Sequence, residues 1–280
     1  IVFDDADVDV FVLFPEGRVS ARQEHQLCAW GDNIRSIAVR GSFDDCQALV
    51  KSAFADPYWT DGRYLTSANS INVGRLLPQA AYYAWSSLDY RRRHGVVPGY
   101  VIPTGNLGNA LACIWAREIG FPIGDVVLAT NANPTLREYQ ETGHWQPRRS
   151  VATLANAMDV GNPSNMERLG ALFSTHDEFI NKLRIESVDD ATIQETIRNG
   201  ESRWGRVFDP HTACAVHVRE TLGGRHWILA ATAHPAKFET VVEPLVGHPV
   251  EVPPALADIL AKPAHKTTID PTLEALRAAT

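Results

Sequence analysis

Apolar and polar positions alternate along the 280 residues in a repeated strand–helix grammar. The run Val8-Asp9-Val10-Phe11-Val12-Leu13-Phe14 is β-rich, mostly apolar on both faces, and stops at Pro15-Glu16-Gly17. That is the pattern of a strand buried in a parallel sheet. Ser20 predicts a helix cap, with Gln23 and Glu24 in the first turn, a helix running to Trp30 and a stop at Gly31. Ile34 to Val39 predicts a second strand, and Ser42 to Ala55 a second helix with Asp44 and Asp45 at its positive end. Strand, helix, strand, helix with short connections is βαβ grammar.

The pattern resumes after Asp56-Pro57. A strand-like Tyr64-Leu65-Thr66 precedes Ser67-Ala68-Asn69-Ser70-Ile71-Asn72 and a long helix to about Arg93. Tyr100 to Ile102 predicts a strand, Leu111 to Ile119 a helix ended by Gly120, and Asp125 to Thr130 another strand. Residues 151–166 are rich in Asn, Asp, Gly and Pro, which suits turns. Phe173 to Asn199 is charged and amphipathic, with Ile180, Leu183 and Ile185 expected inward. Asp209-Pro210 opens a further helix, Trp227 to Ala231 predicts a strand, and a proline-bounded tail ends in a helix at Pro271 to Ala279. The fold class expected is α/β: open, twisted, mostly parallel sheets with helices on both faces, in two lobes. Residues 1–66 are the remainder of a smaller lobe, and 67–280 a larger lobe with a carboxyl-terminal helical extension.

Lys plus Arg number 26 against 33 Asp plus Glu, a formal net charge of −7. An acidic chain is a poor nucleic-acid binder, because such binding comes mainly from neutralising phosphates. No apolar run is long enough to span a bilayer. Cys28, Cys46, Cys113 and Cys214 lie far apart with no CxxC or Cys/His cluster, so neither disulfides nor a metal are expected, and a reducing, cytoplasmic setting is. The chain opens on Ile1-Val2-Phe3 with no Met, which implies that an amino-terminal portion precedes it.

Three strand-to-helix junctions hold candidate chemistry. In Thr104-Gly105-Asn106-Leu107-Gly108-Asn109, two glycines let backbone N–H groups turn inward at a helix start, an arrangement that cradles a phosphate. A tight turn with a Thr cap is the alternative. The junction at Asn69, Ser70, Asn72 and Arg75 either orients a polar ligand or caps the helix. Thr232-Ala233-His234-Pro235 follows a strand with a hydroxyl able to face a heterocyclic nitrogen, and His234 and His211 are read either as structural or as functional histidines.

In order along the chain, Pro15-Glu16-Gly17-Arg18-Val19-Ser20, Gly41-Ser42-Phe43-Asp44-Asp45-Cys46-Gln47, Ser67-Ala68-Asn69-Ser70-Ile71-Asn72 and the Thr104–Asn109 loop resemble threonine synthases. The strings Ala129-Thr130-Asn131-Ala132-Asn133, Asn156 to Asn165, Asp209-Pro210-His211-Thr212-Ala213 and Thr232 to Phe238 extend the likeness. These are enzymes that use pyridoxal phosphate (PLP) to turn O-phospho-L-homoserine and water into L-threonine and phosphate. The resemblance implies the tryptophan synthase beta-like PLP fold, with Gly105, Asn106, Leu107, Gly108 and Asn109 around the cofactor phosphate. It implies Asn69 at the cofactor hydroxyl, Thr232 at the pyridine nitrogen, and Ser70, Asn72 and Arg75 toward the substrate. Leu107 stands where an aromatic is usual, and Thr104 where Ser is usual.

The family's Schiff-base lysine lies in a Phe-Lys-Asp string that does not occur here, which leaves Lys51, Lys182, Lys237, Lys262 and Lys266. Its partner is therefore expected to be the missing amino-terminal portion of the same polypeptide, and this fragment alone is expected to be inactive. The alternatives are a non-catalytic relative that binds PLP or a phosphorylated amino acid, or another lyase of the same fold, such as a dehydratase.

Overall fold

A computed structural model describes residues 8–31, 33–62 and 64–280; the opening Ile1-Val2-Phe3 lies outside them. In chain order the first elements are β1 (Val10–Pro15), α1 (Ala21–Cys28), β2 (Ile34–Val39), α2 (Phe43–Ala55), α3 (Pro57–Thr60) and α4 (Val73–His94). Then come β3 (Gly99–Pro103), α5 (Gly108–Glu118), β4 (Val126–Thr130), α6 (Thr135–Thr142), α7 (Met166–Leu172), α8 (His176–Lys182) and β5 (Leu183–Ser187). The chain ends with α9 (Asp190–Trp204), α10 (Pro210–Thr221), β6 (Trp227–Leu229), α11 (Glu239–Val246), α12 (Pro254–Leu260), β7 (Thr267–Ile269) and α13 (Leu273–Ala279).

The chain divides into two units, residues 1–65 with 235–280, and residues 66–234. In the first, β1 pairs in parallel with β2 from Val10 opposite Ile34 to Pro15 opposite Val39, and β7 lines the other edge of β2. Its helices start where the sequence says they should. Ser20 and Ser42 each accept from the backbone N–H three residues on, while Gln23 and Asp45 reach back to the cap N–H, closing two capping boxes. Ile37, Val39, Cys46, Leu49, Trp59, Ile269 and Leu276 form its buried core. Residues 235–280 thus complete the first unit. The division expected from sequence had left them with 67–280; β7 is only three residues long, too short to signal that it would extend the β2 edge.

The second unit holds a parallel sheet in the order β5-β4-β3-β6. β3 and β4 are buried along their whole length, which explains their unbroken apolar runs. Tyr83, Tyr100, Ile102, Leu111, Ile114, Leu128, Phe179 and Ile185 build the core of this unit, to which α4 and α5 contribute.

Two expected elements differ. Tyr64-Leu65-Thr66 is irregular and Tyr64 is fully exposed, so its aromatic ring marks no buried strand face. Phe173 to Asn199 is not one amphipathic stretch but α8, β5 and α9. Leu183 and Ile185 are buried and Arg184 is exposed, the two-residue period of an edge strand, while Ile180 points to solvent. Among the described residues no helix is long and apolar enough to cross a membrane.

Candidate functional site

The carboxyl end of β3 is a topological switch point. From β3 the chain runs through α5 to β4 and on to β5 on one side, whereas β6, reached after α10, lies on the other. Ligands of open parallel sheets gather in the crevice at such a point. The loop Thr104–Asn109 leaves β3 there.

Its shape is held by its own side chains. Thr104 Oγ1 donates to Asn109 Oδ1 at 2.8 Å, Asn109 Nδ2 donates to the Pro103 carbonyl at 2.9 Å, and Ala110 N–H donates to Asn109 Oδ1 at 2.9 Å. Leu107 is the cap residue of α5 and sits in the left-handed region, φ 64°, ψ 2°; it offers no side-chain cap, and its own side chain is buried in the core. The N–H groups of Asn106, Leu107, Gly108 and Asn109 therefore stand at a helix start with no acceptor among the described residues. Neither glycine has a positive φ; what they lack is room. A Cβ on Gly105 would lie 2.6 Å from Met158 Cα, and one on Gly108 would lie 2.8 Å from Ser70 Cβ.

Asn106 ties three segments together. Its Nδ2 donates to Ser70 Oγ at 2.6 Å, its Oδ1 accepts from Ser164 N–H at 2.7 Å, and its carbonyl accepts from Asn165 Nδ2 at 2.8 Å. Arg168 completes the knot, donating to the carbonyls of Ser70 (3.0 Å) and Ile71 (2.6 Å) and to Asn165 Oδ1 (2.5 Å). Ser164, Asn165 and Arg168 were not singled out from sequence. Ser164 and Asn165 stand in a quoted string, but Arg168 acts on carbonyls nearly a hundred positions away, and nothing local announces that.

At the neighbouring junction, Asn72 caps α4. Its Oδ1 accepts from Gly74 N–H at 2.9 Å and its Nδ2 donates to Ser67 O at 2.9 Å and Thr66 Oγ1 at 3.2 Å. Asn69 is exposed; its Oδ1 accepts from Ser70 N–H at 2.6 Å, and its Nδ2 takes no acceptor among the described residues. Arg75 is exposed one turn into α4, its guanidinium free of hydrogen bonds and ion pairs with the described residues. Thr232 is exposed beyond β6. Val101 pairs with Leu229 at the end of the β3–β6 ladder, and Thr232 follows three residues later. Ser70 thus touches the glycine loop directly, and Thr232 follows the strand next to it.

Behind the loop lies a buried polar group. Asp159 Oδ1 accepts from Thr153 Oγ1, Asn131 Nδ2 and Asn133 Nδ2, and its Oδ2 from Thr153 N–H. Burial pushes the Asp159 carboxyl up to about 6, against the pull of Thr153, Asn131 and His211. His211 is buried between Asp209 and the N–H of Ala157, and His234 is exposed. The four cysteines are buried thiols, and burial raises all of them, Cys46 to about 12.

A phosphate fits this cradle: α5 begins on uncapped N–H groups, and the loop's glycines leave no space for a side chain to fill it. Residues 5–228 match the family described as pyridoxal-phosphate dependent enzyme, and residues 212–279 match the threonine synthase carboxyl-terminal family. The threonine synthase of Serratia marcescens is 40% identical over 90% of this chain and 59% of its own length; that of Escherichia coli is 38% identical over 97% and 64%. Crystal structures of threonine synthase from Escherichia coli (TM-score 0.91, 36% identity, 99% of this chain, 65% of that one) and, PLP-bound, from Brucella melitensis (0.84, 31%, 99% and 66%) share the fold. The chain therefore spans 59–66% of the length of these relatives. With the cradle at the sheet's switch point and the family match over most of its length, the chain belongs to the pyridoxal-phosphate dependent enzymes.

Proposed function

We propose that the polypeptide carrying this chain is a threonine synthase, a carbon–oxygen lyase that converts O-phospho-L-homoserine and water to L-threonine and phosphate with PLP. The observation that carries the proposal is the uncapped start of α5 behind Gly105 and Gly108, at the sheet's switch point. The likeness to threonine synthases along the whole chain supports it.

When bound, PLP supplies the electron sink that lets protons leave the substrate's Cα and Cβ before phosphate departs. The chain's own groups then have distinct tasks. The N–H groups of residues 106–109 hold the cofactor phosphate, and the amide of Asn69 holds the ring hydroxyl. Thr232 faces the ring nitrogen with a neutral hydroxyl, which leaves that nitrogen less firmly protonated than a carboxylate would. Arg75 offers an unpaired cation to the substrate's phosphate, and Ser70 and Asn72 shape the same turn. The buried thiols suit a reducing compartment, and the proposal places the protein in the cytoplasm.

Residues 66–234 supply no lysine at this edge of the sheet. Among the five lysines, Lys182 is the one inside residues 66–234, and it directly precedes β5, at the end of the sheet away from the cradle. The proposal assigns the lysine that carries the cofactor covalently to polypeptide outside these residues. The same observation favours a second reading, a binding protein for PLP or a phosphorylated amino acid without covalent chemistry. Supplying the polypeptide with PLP and O-phospho-L-homoserine separates the two: equal release of phosphate and threonine is expected. Bound PLP with no phosphate released, and no label after borohydride, would leave the second reading standing.

A further inference from the structure

We propose that His211 is a positioning residue for the phosphate cradle, holding the wall against which Gly105 packs. This rests on the reading that the cradle takes a phosphate. Asp209 caps α10; its Oδ1 accepts from the N–H of His211 at 2.9 Å and lies 2.9 Å from His211 Nδ1. On the other side of the ring, His211 Nε2 accepts the N–H of Ala157 at 3.1 Å. A backbone N–H can only donate, so Nε2 carries a lone pair and the ring proton sits on Nδ1, donated to Asp209. Asp209 thereby selects the neutral tautomer that grips Ala157. The carboxylate of Asp159 is a further charged group felt near the ring.

Ala157 is the middle residue of the short helical turn Asn156–Met158. The next residue, Met158, has its Cα 2.6 Å and its carbonyl oxygen 2.9 Å from the place a Gly105 Cβ would occupy. The line of contacts thus runs from Asp209 through His211 to Ala157 and Met158, and from there to Gly105. His211 is 3% exposed and does not itself belong to the loop. Removing its acceptor takes from the Ala157 N–H the part-buried bond that ties this turn to α10, and so loosens the wall against which Gly105 packs.

The test titrates the polypeptide with PLP, read by tryptophan quenching and by phosphorus NMR of the bound phosphate, with hydrogen exchange across 155–160. His211→Gln keeps an acceptor at the reach of Nε2 and is expected to bind PLP as wild type does. His211→Leu is expected to weaken PLP up to about tenfold, the worth of one hydrogen bond, to move the phosphorus resonance, and to speed exchange at Ala157. Asp209→Asn, which frees the tautomer, is expected to weaken PLP in the same direction and decides the matter if the Leu variant fails to fold. A Leu variant with wild-type affinity and resonance overturns the inference, as does a Gln variant no better than Leu. Wild type that shows no PLP-dependent phosphorus shift removes the phosphate reading itself, and the inference with it.

Discussion

Replacing Gly105 by alanine isolates the steric basis of the cradle. The residue has no positive φ, so alanine meets no backbone objection, and the whole effect comes from three backbone atoms of Met158 at 2.6, 2.9 and 3.0 Å from the new methyl. Neither side yields easily. Thr104 N–H is bonded to Ala129 O at 3.0 Å, and the opposing turn is closed by Met158 N–H on Ala155 O at 2.9 Å and by Ala157 on His211. Overpacking of this kind costs about 1–3 kcal/mol, which lowers Tm by roughly 2–4 °C per kcal/mol for a unit of this size. Any displacement of the loop carries its N–H groups away from a bound phosphate. Losing one charge-assisted N–H contact to the phosphate, about 1.5–3 kcal/mol, weakens PLP by roughly 10- to 150-fold. Gly170→Ala is the matched control: Gly170 is exposed in α7 with nothing within 4 Å of the added methyl. It is expected to gain about 0.5–1 kcal/mol through helix propensity without touching PLP affinity. Thermal unfolding of the apoprotein and fluorescence titration with PLP read both effects. Gly105→Ala with wild-type Tm and wild-type affinity would refute the steric reasoning.

Three further outcomes are expected. Gly161→Ala puts a methyl 1.9 Å from the Arg148 carbonyl oxygen, so its loss of Tm should exceed that of Gly105→Ala; an equal or smaller loss counts against the rigidity of that contact. Asp159 is raised from 3.8 to about 6 in the fold, so the folded state binds the extra proton between those values and stability falls as pH rises through that window. The contribution is on the order of 3 kcal/mol; urea midpoints from pH 4 to 7 should show it in wild type and lose it in Asp159→Asn, and parallel curves would exclude it. Ser42→Ala opens a capping box of α2 and should cost about 1 kcal/mol in chemical denaturation, and an unchanged midpoint would count against the cap.

The cap signals of both units, and the strand signals of the first, are readable because they are local. Ser20, Ser42 and Asp209 sit within three residues of the N–H groups they accept from, and β2 spans Ile34–Val39 as its apolar run predicts. What escaped was long-range. The β5 strand hides in a charged stretch because an edge strand needs only Leu183 and Ile185 inward, and the joining of 235–280 to the first unit depends on a ladder of three residues. The cradle divides along the same line. Its asparagines and hydroxyls draw attention in the sequence as ligand-binding letters, yet Thr104, Asn109 and Asn72 use their side chains to hold their own loops, and Asn106 and Ser70 to hold each other's. The donors left for an anion are backbone N–H groups, which no residue type records. That explains why Leu107 can stand where the resemblance leads one to expect an aromatic. Its side chain points into the core of residues 66–234, while its N–H stays at the start of α5. Exchanging Leu107 for Phe would therefore register as a change in packing before any change at the phosphate.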